Sequence, residues 1–96
     1  MSGNADVAAL WAKLKGRQVV VDTDSNYLCI GTLEDADGEF LTMAEADVHD
    51  MNDSSVTREV YAMESSKLGV RANRRLTRVR LARVVCVSLL EDVLRY

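Results

Sequence analysis

The chain has 96 residues, of which 48% are apolar and 28% charged, and a formal net charge of -3. That is globular composition for a single domain and argues against a disordered chain. No apolar run approaches the roughly 20 residues of a membrane helix; the opening Met-Ser-Gly-Asn-Ala-Asp is polar and unlike a signal peptide, so we expect a soluble, cytoplasmic protein with no membrane partner.

Asp6 to Lys15 is predicted as a helix. Asp6 can cap it, Val7, Leu10, Trp11 and Leu14 form one apolar stripe, and Gly16 suits a left-handed stop. Trp11 should pack on the sheet below. Val19 to Thr23 reads as a strand, Asp24-Ser25-Asn26 as a turn, and Tyr27 to Leu33 as the returning strand. Gly31 inside that strand points to a strong bend or a close backbone approach. An acidic turn, Glu34 to Gly38, precedes a third strand, Glu39 to His49, with a bend or bulge expected near Ala44.

From Asp50 to about Gly69 we expect an inserted connection. Asp53-Ser54-Ser55 is its capping cluster, and Val56, Val60, Met63 and Leu68 mark a helix over Val56 to Leu68. Tyr61 and Met63 are expected to pack. Val70 to Arg80 is the fourth predicted strand, with its arginines outward, and Val84-Val85-Cys86-Val87-Ser88-Leu89 is a buried fifth. Between them Leu81-Ala82-Arg83 must turn sharply, leaving Arg80 and Arg83 near a corner. Leu89 to Tyr96 fits either a strand extension or a helical turn.

Cys29 and Cys86 both lie in apolar runs and are expected to be buried and reduced. The single His, His49, is expected at a strand end in solvent. It has no Cys or Ser partner at a recognisable spacing, and no Gly-rich phosphate loop or calcium-loop pattern occurs, so we expect neither an enzyme nor a cofactor or metal site. Charge is segregated. Asp22 to Asp53 holds ten acidic residues and no Lys or Arg; Lys67 to Arg83 holds seven basic residues and no acid. Such a division serves either contact between copies or a basic patch for phosphate.

Val19-x-Val21-x-Thr23, Gly31, Leu33 and Asp37 resemble, in type and spacing, the first motif of the Sm-like (LSm) ribonucleoprotein family, and Val79-Arg80-Leu81-Ala82-Arg83-Val84 resembles the second. The likeness covers roughly Leu10 to His49 and Arg78 to Leu89. Two positions depart. Leu41, or Phe40 after a shift of one, stands where the family has its base-reading Asn, and Leu81 stands where the second motif has Gly. The resemblance implies a mainly β fold: an N-terminal helix, then a strongly bent five-stranded antiparallel sheet forming an open small barrel, here with a helical insertion between the third and fourth strands. It implies a cyclic homo-oligomer, the fourth strand of one copy beside the fifth of the next. It further implies RNA binding near the central hole, by Arg80, Arg83, Asp37 and Phe40 here. Arg80 and Arg83 would hold phosphate or a base edge. Phe40 would stack on a base if exposed and would otherwise be a core residue. The RNA expected is single-stranded, U-rich or unselected; without the Asn, recognition should be weak or unselective, and an assembly scaffold that has lost RNA binding is the alternative.

Overall fold

The structure, a computed structural model, describes residues 3–95. Helix α1 spans Gly3–Leu14 and the strands are β1 (Gln18–Thr23), β2 (Tyr27–Ala36), β3 (Phe40–Asp50), β4 (Arg74–Arg80) and β5 (Val84–Leu89). Helix α2 (Arg58–Leu68) lies between β3 and β4. The strands form one open sheet in the order β4-β3-β2-β1-β5, with every neighbouring pair antiparallel. The fold is therefore mainly β, with a leading helix and a helix between the third and fourth strands, as expected. Among the described residues, no helix is long and apolar enough to cross a membrane.

Both faces of the central strands are covered, which is why Val19, Val20 and Val21 are consecutive apolar residues and all buried. Val19, Val21, Cys29, Leu33, Leu41, Met43 and Ala46 fill the inner face, with Trp11 and Leu14 of α1 packed against them. Val20, Leu28 and Ile30 on the outer face meet Ala62 and Tyr61 of α2 and Leu90 of the C-terminal segment. Each fully buried Leu, Ile or Met among these stabilises the fold by roughly 1.5–3 kcal/mol.

The sheet bends at a bulge. Ile30 stands opposite Asp47 but Thr32 opposite Ala44, so β3 carries one extra residue there. Glu45 sits in that bulge with φ +46°, the one non-glycine at positive φ among the described residues. Gly31 faces it, and a Cβ on Gly31 would lie 2.8 Å from the Ala46 Cα. The predicted bend near Ala44 and the close approach at Gly31 are thus one feature seen from two strands.

Several expectations are corrected. Helix α1 starts earlier, and Leu10 is exposed although it was placed on the buried stripe; Asp6 and Val7 lie outside the residues whose side chains are described. Asp53-Ser54-Ser55 does not cap α2. Thr57 does, its Oγ1 accepting from the Val60 N–H at 3.2 Å, while Asp50 caps a short 3-10 turn at Met51–Asp53. Leu68 is exposed, and the buried residues of α2 are Ala62 and Ser65. Strand β4 starts at Arg74 instead of Val70. Asn73 replaces the missing strand residue with its carboxamide, which donates to the Val48 carbonyl and accepts from the Val48 N–H, each at 3.0 Å. The C-terminal segment makes a 3-10 turn, Leu90–Asp92, and Arg95 donates to the Ser66 carbonyl of α2; Tyr96 lies outside the described residues.

Cys86 is exposed, not buried, because β5 is an edge strand and Cys86 stands opposite Asp22, whose Oδ2 is 3.3 Å from its Sγ. His49 is at a strand end, as expected, but is not solvated. Its ring stacks on Tyr61 at 4.1 Å, and its Nε2 is buried with no hydrogen-bond partner. The Tyr61 hydroxyl donates to the Oδ2 of buried Asp47 at 2.5 Å. Burial first, then this bond, pushes the Tyr61 phenol up to about 12.

Candidate nucleic-acid interface

The acidic turn after β2 and the corner after β4 meet. Phe40, the first residue of β3, stands in register opposite Arg80, the last of β4, and the Leu81 N–H donates to the Glu39 carbonyl at 2.8 Å. The Arg80 guanidinium lies over the Phe40 ring, 5.4 Å from its centroid, within cation–π range. Phe40 is half-buried. It is neither a full core residue nor a free stacking platform, because one face is already taken by Arg80.

Asp37 shapes this turn. Its Oδ1 accepts from the backbone N–H of Glu39 at 2.7 Å and of Phe40 at 2.8 Å, an Asx turn that sets where β3 begins. Those two donors hold the Asp37 carboxyl below its usual range. Asp37 thus sets the backbone from which Phe40 projects, with its carboxylate already bonded to the turn.

Arg83 lines one pocket with Arg78 and Arg80, but it is also engaged elsewhere. Its Nε donates to Asp24 Oδ1 at 2.6 Å, and its carbonyl accepts from the Asp24 N–H at 2.9 Å, so it fastens the corner to the turn between β1 and β2. Arg78, not among the residues expected at the site, stands beside both arginines. Residues directly opposed in an antiparallel pair share a face; Arg78 opposes Thr42 as Arg80 opposes Phe40, so both guanidinium groups are on the outer face. Period-two alternation in Arg78-Val79-Arg80 already carried that signal. No salt bridge engages Arg74, Arg75, Arg78 or Arg80 among the described residues.

The corner needs no glycine. Leu81–Arg83 forms a 3-10 turn, and none of the three takes a positive φ. A Leu therefore fits where a Gly was expected. Nearby acids partly offset the arginines: Asp37 and Glu39 are exposed in the turn, while Glu34 and Asp35, expected in that turn, are exposed residues near the end of β2, which runs on to Ala36, with Asp35 paired to Lys15 at 3.2 Å. No group of three or more His, Cys, Asp or Glu side chains that could hold a metal occurs among the described residues.

The class defined by these features is a small, mainly β, open-sheet protein with a basic edge strand that ends at an arginine–aromatic corner. No family model and no curated protein matches the chain.

Proposed function

We propose that the chain is an Sm-like protein whose copies join edge to edge into a ring, and that the ring binds single-stranded RNA weakly and without strong base selectivity. The element order and the two unpaired edges support the first part: among the described residues, β4 pairs with β3 alone and β5 with β1 alone. An edge of unpaired N–H and C=O groups tends to be covered by another strand, and head-to-tail pairing of β4 with β5 closes into a ring when the rotation permits. The observation that carries the RNA reading is the Arg80–Phe40 corner at the end of the basic strand. Arg80 and Arg78 would meet phosphate, and the Phe40 edge would meet a base through an apolar contact that tolerates any base.

A second reading, a protein-assembly scaffold without RNA binding, draws on two observations: Arg83 is tied to Asp24, and the turn beside Phe40 is acidic. Carboxylates there repel phosphate. Anisotropy titrations of labelled oligo-U and a mixed-sequence oligonucleotide against added salt separate the two. RNA binding predicts similar affinities for both, a steep fall with salt, and loss of binding in Arg80→Ala. Absence of binding at low salt overturns it in favour of the scaffold.

A further inference from the structure

Helix α2 leaves the outer face of β5 uncovered. Between them runs a groove of about 700 Å³, lined by Val20, Val60, Met63, Cys86, Ser88 and Leu94 among others. It lies on a defined side of the sheet. Ser88 opposes Val20 and Cys86 opposes Asp22, and Val20 belongs to the outer core under α2. The groove therefore continues the outer face past the edge where the sheet stops.

The opposite edge carries what such a groove would receive. Leu76 is 52% exposed on β4 although it is a large apolar side chain in the middle of a strand. It stands opposite Ala44, which in turn opposes Thr32 of β2, so it is an outer-face residue. A strand added to β5 continues the pleat, and its outer-face residues fall on the groove side. The charges match as well. Leu76 is flanked on its own face by Arg74 and Arg78, neither in a salt bridge among the described residues, while exposed Glu59 lines the groove from α2 and likewise forms none there. Asp22, at the groove floor, is already held by Arg58 at 3.5 Å.

We propose that α2 is an assembly element: the groove between α2 and β5 is the socket for the outer face of β4 from a second copy of this chain, with Leu76 in its apolar part and the flanking arginines at Glu59. This rests on the edge-pairing part of the proposed function and assigns to the helix between β3 and β4 a role that strand pairing alone does not require. It also predicts which residues cross the interface. Arg74, Leu76 and Arg78 approach Cys86 of the next copy; Arg75 and Thr77, on the other face, do not.

Cys86 makes the test direct, since the other thiol, Cys29, is buried. Single cysteines are placed at positions 74 to 78 of the full chain, oxidised at assembly concentration and run without reductant. Disulfide formation needs Cα atoms about 4.4–6.8 Å apart, so a covalent ladder is expected from one or more of Arg74→Cys, Leu76→Cys and Arg78→Cys. It should vanish when Cys86→Ser is added. A ladder from Arg75→Cys or Thr77→Cys instead, or from none of the five in a chain that sediments as an oligomer, overturns the socket while leaving edge pairing intact. A chain monomeric at every concentration overturns both. In parallel, Leu76→Asp should weaken association by roughly a hundredfold and Glu59→Arg by roughly tenfold, as for a central and a rim residue of an interface. Both side chains are exposed, so the monomer should keep its circular dichroism, and unchanged association in both variants also counts against the socket.

Discussion

Replacing Gly31 by Ala tests the bend of the sheet at a single atom. The added Cβ would sit 2.8 Å from the Ala46 Cα, 2.9 Å from the Ala46 Cβ and 3.0 Å from the Ala44 carbonyl oxygen. Two of these three neighbours are backbone, held by the β2–β3 ladder, and cannot swing aside as a side-chain end could. Overpacking of this kind costs about 1–3 kcal/mol, and backbone neighbours put the expected loss near the top, about 2–3 kcal/mol. For a domain of this size that is a fall in Tm of roughly 10–20 °C and a substantial share of the 5–15 kcal/mol that holds a typical domain folded, about. Urea unfolding followed by circular dichroism, at one fixed protein concentration, reads the effect. Gly38→Ala is the control: nothing lies within 4 Å of its Cβ position, and its change should stay within about 0.5 kcal/mol. Adding Ala46→Gly to Gly31→Ala removes only one of the three close contacts and should restore only part of the loss. If Gly31→Ala is as mild as Gly38→Ala, β2 and β3 do not approach as described, and the bend has another cause.

Tyr61→Phe leaves the buried Asp47 carboxylate without its donor and should destabilise by roughly 1–3 kcal/mol in urea unfolding; no change would mean that Asp47 has another partner. The same phenol predicts a pH dependence. Unfolded, it ionises near pH 10, but folded it holds its proton to about 12, so its contribution is complete below pH 10 and is lost as pH rises through 12; a stability curve over that range identical to that of Tyr61→Phe would refute this. Burial pushes the Cys29 thiol up to about 12, so in a Cys86→Ser background it should react with a thiol reagent at pH 8 no faster than the chain unfolds, and rapid labelling of folded protein would contradict that placement. Arg83→Ala removes an exposed ion pair worth about 0–1 kcal/mol and, because Asp24 already engages Arg83, should cost less RNA affinity than Arg80→Ala; equal losses would mean that the Asp24 pair does not withhold Arg83 from RNA.

The strands were legible because their residues obey two simple periods. Val19 to Val21 and Leu28 to Ile30 are continuous apolar runs, as strands covered on both faces must be, and Arg78-Val79-Arg80 alternates as a strand covered on one face should. Gly31 signalled a close approach because a glycine inside a strand has few other reasons to be there. What stayed hidden depends on partners distant in the chain. Cys86 lies in an apolar run, but whether such a run is buried depends on its place in the sheet, and β5 is at the edge. His49 looked solvated because nothing local announces that Tyr61, on a later helix, covers it. Arg83 and Arg80 are close in sequence and similar in type; nothing local announces that Arg83 is held by Asp24, far upstream. Asn73 was read as part of a strand, and its carboxamide does replace a peptide group there, but a side chain mimicking backbone leaves no periodic trace.

The two open edges differ in a way that bears on how copies could meet. An edge strand protects itself from its own kind by charge or by a bulge. Strand β4 uses charge: Arg74, Arg75, Arg78 and Arg80 load both of its faces and form no salt bridge among the described residues, so two β4 edges brought together would set like charges against each other. Strand β5 has no charged residue at all. It carries a bulge, since Thr23 opposes Val84 and Asp22 opposes Cys86, leaving Val85 unpaired and 68% exposed. Its surroundings are acidic on both sides, with Glu59 on α2 lining one flanking groove and Asp92 the other. Two β5 edges would bring those carboxylates together, and the one arginine lining the α2 groove, Arg58, is already paired with Asp22. The combination with no like-charge conflict is β4 against β5, which is heterologous and therefore propagates head to tail. Under the proposed assembly, the arginines of β4 and the acids Glu59 and Asp92 flanking β5 thus select the pairing partner, and the Arg80–Phe40 corner, at the far end of β4, remains free for a ligand.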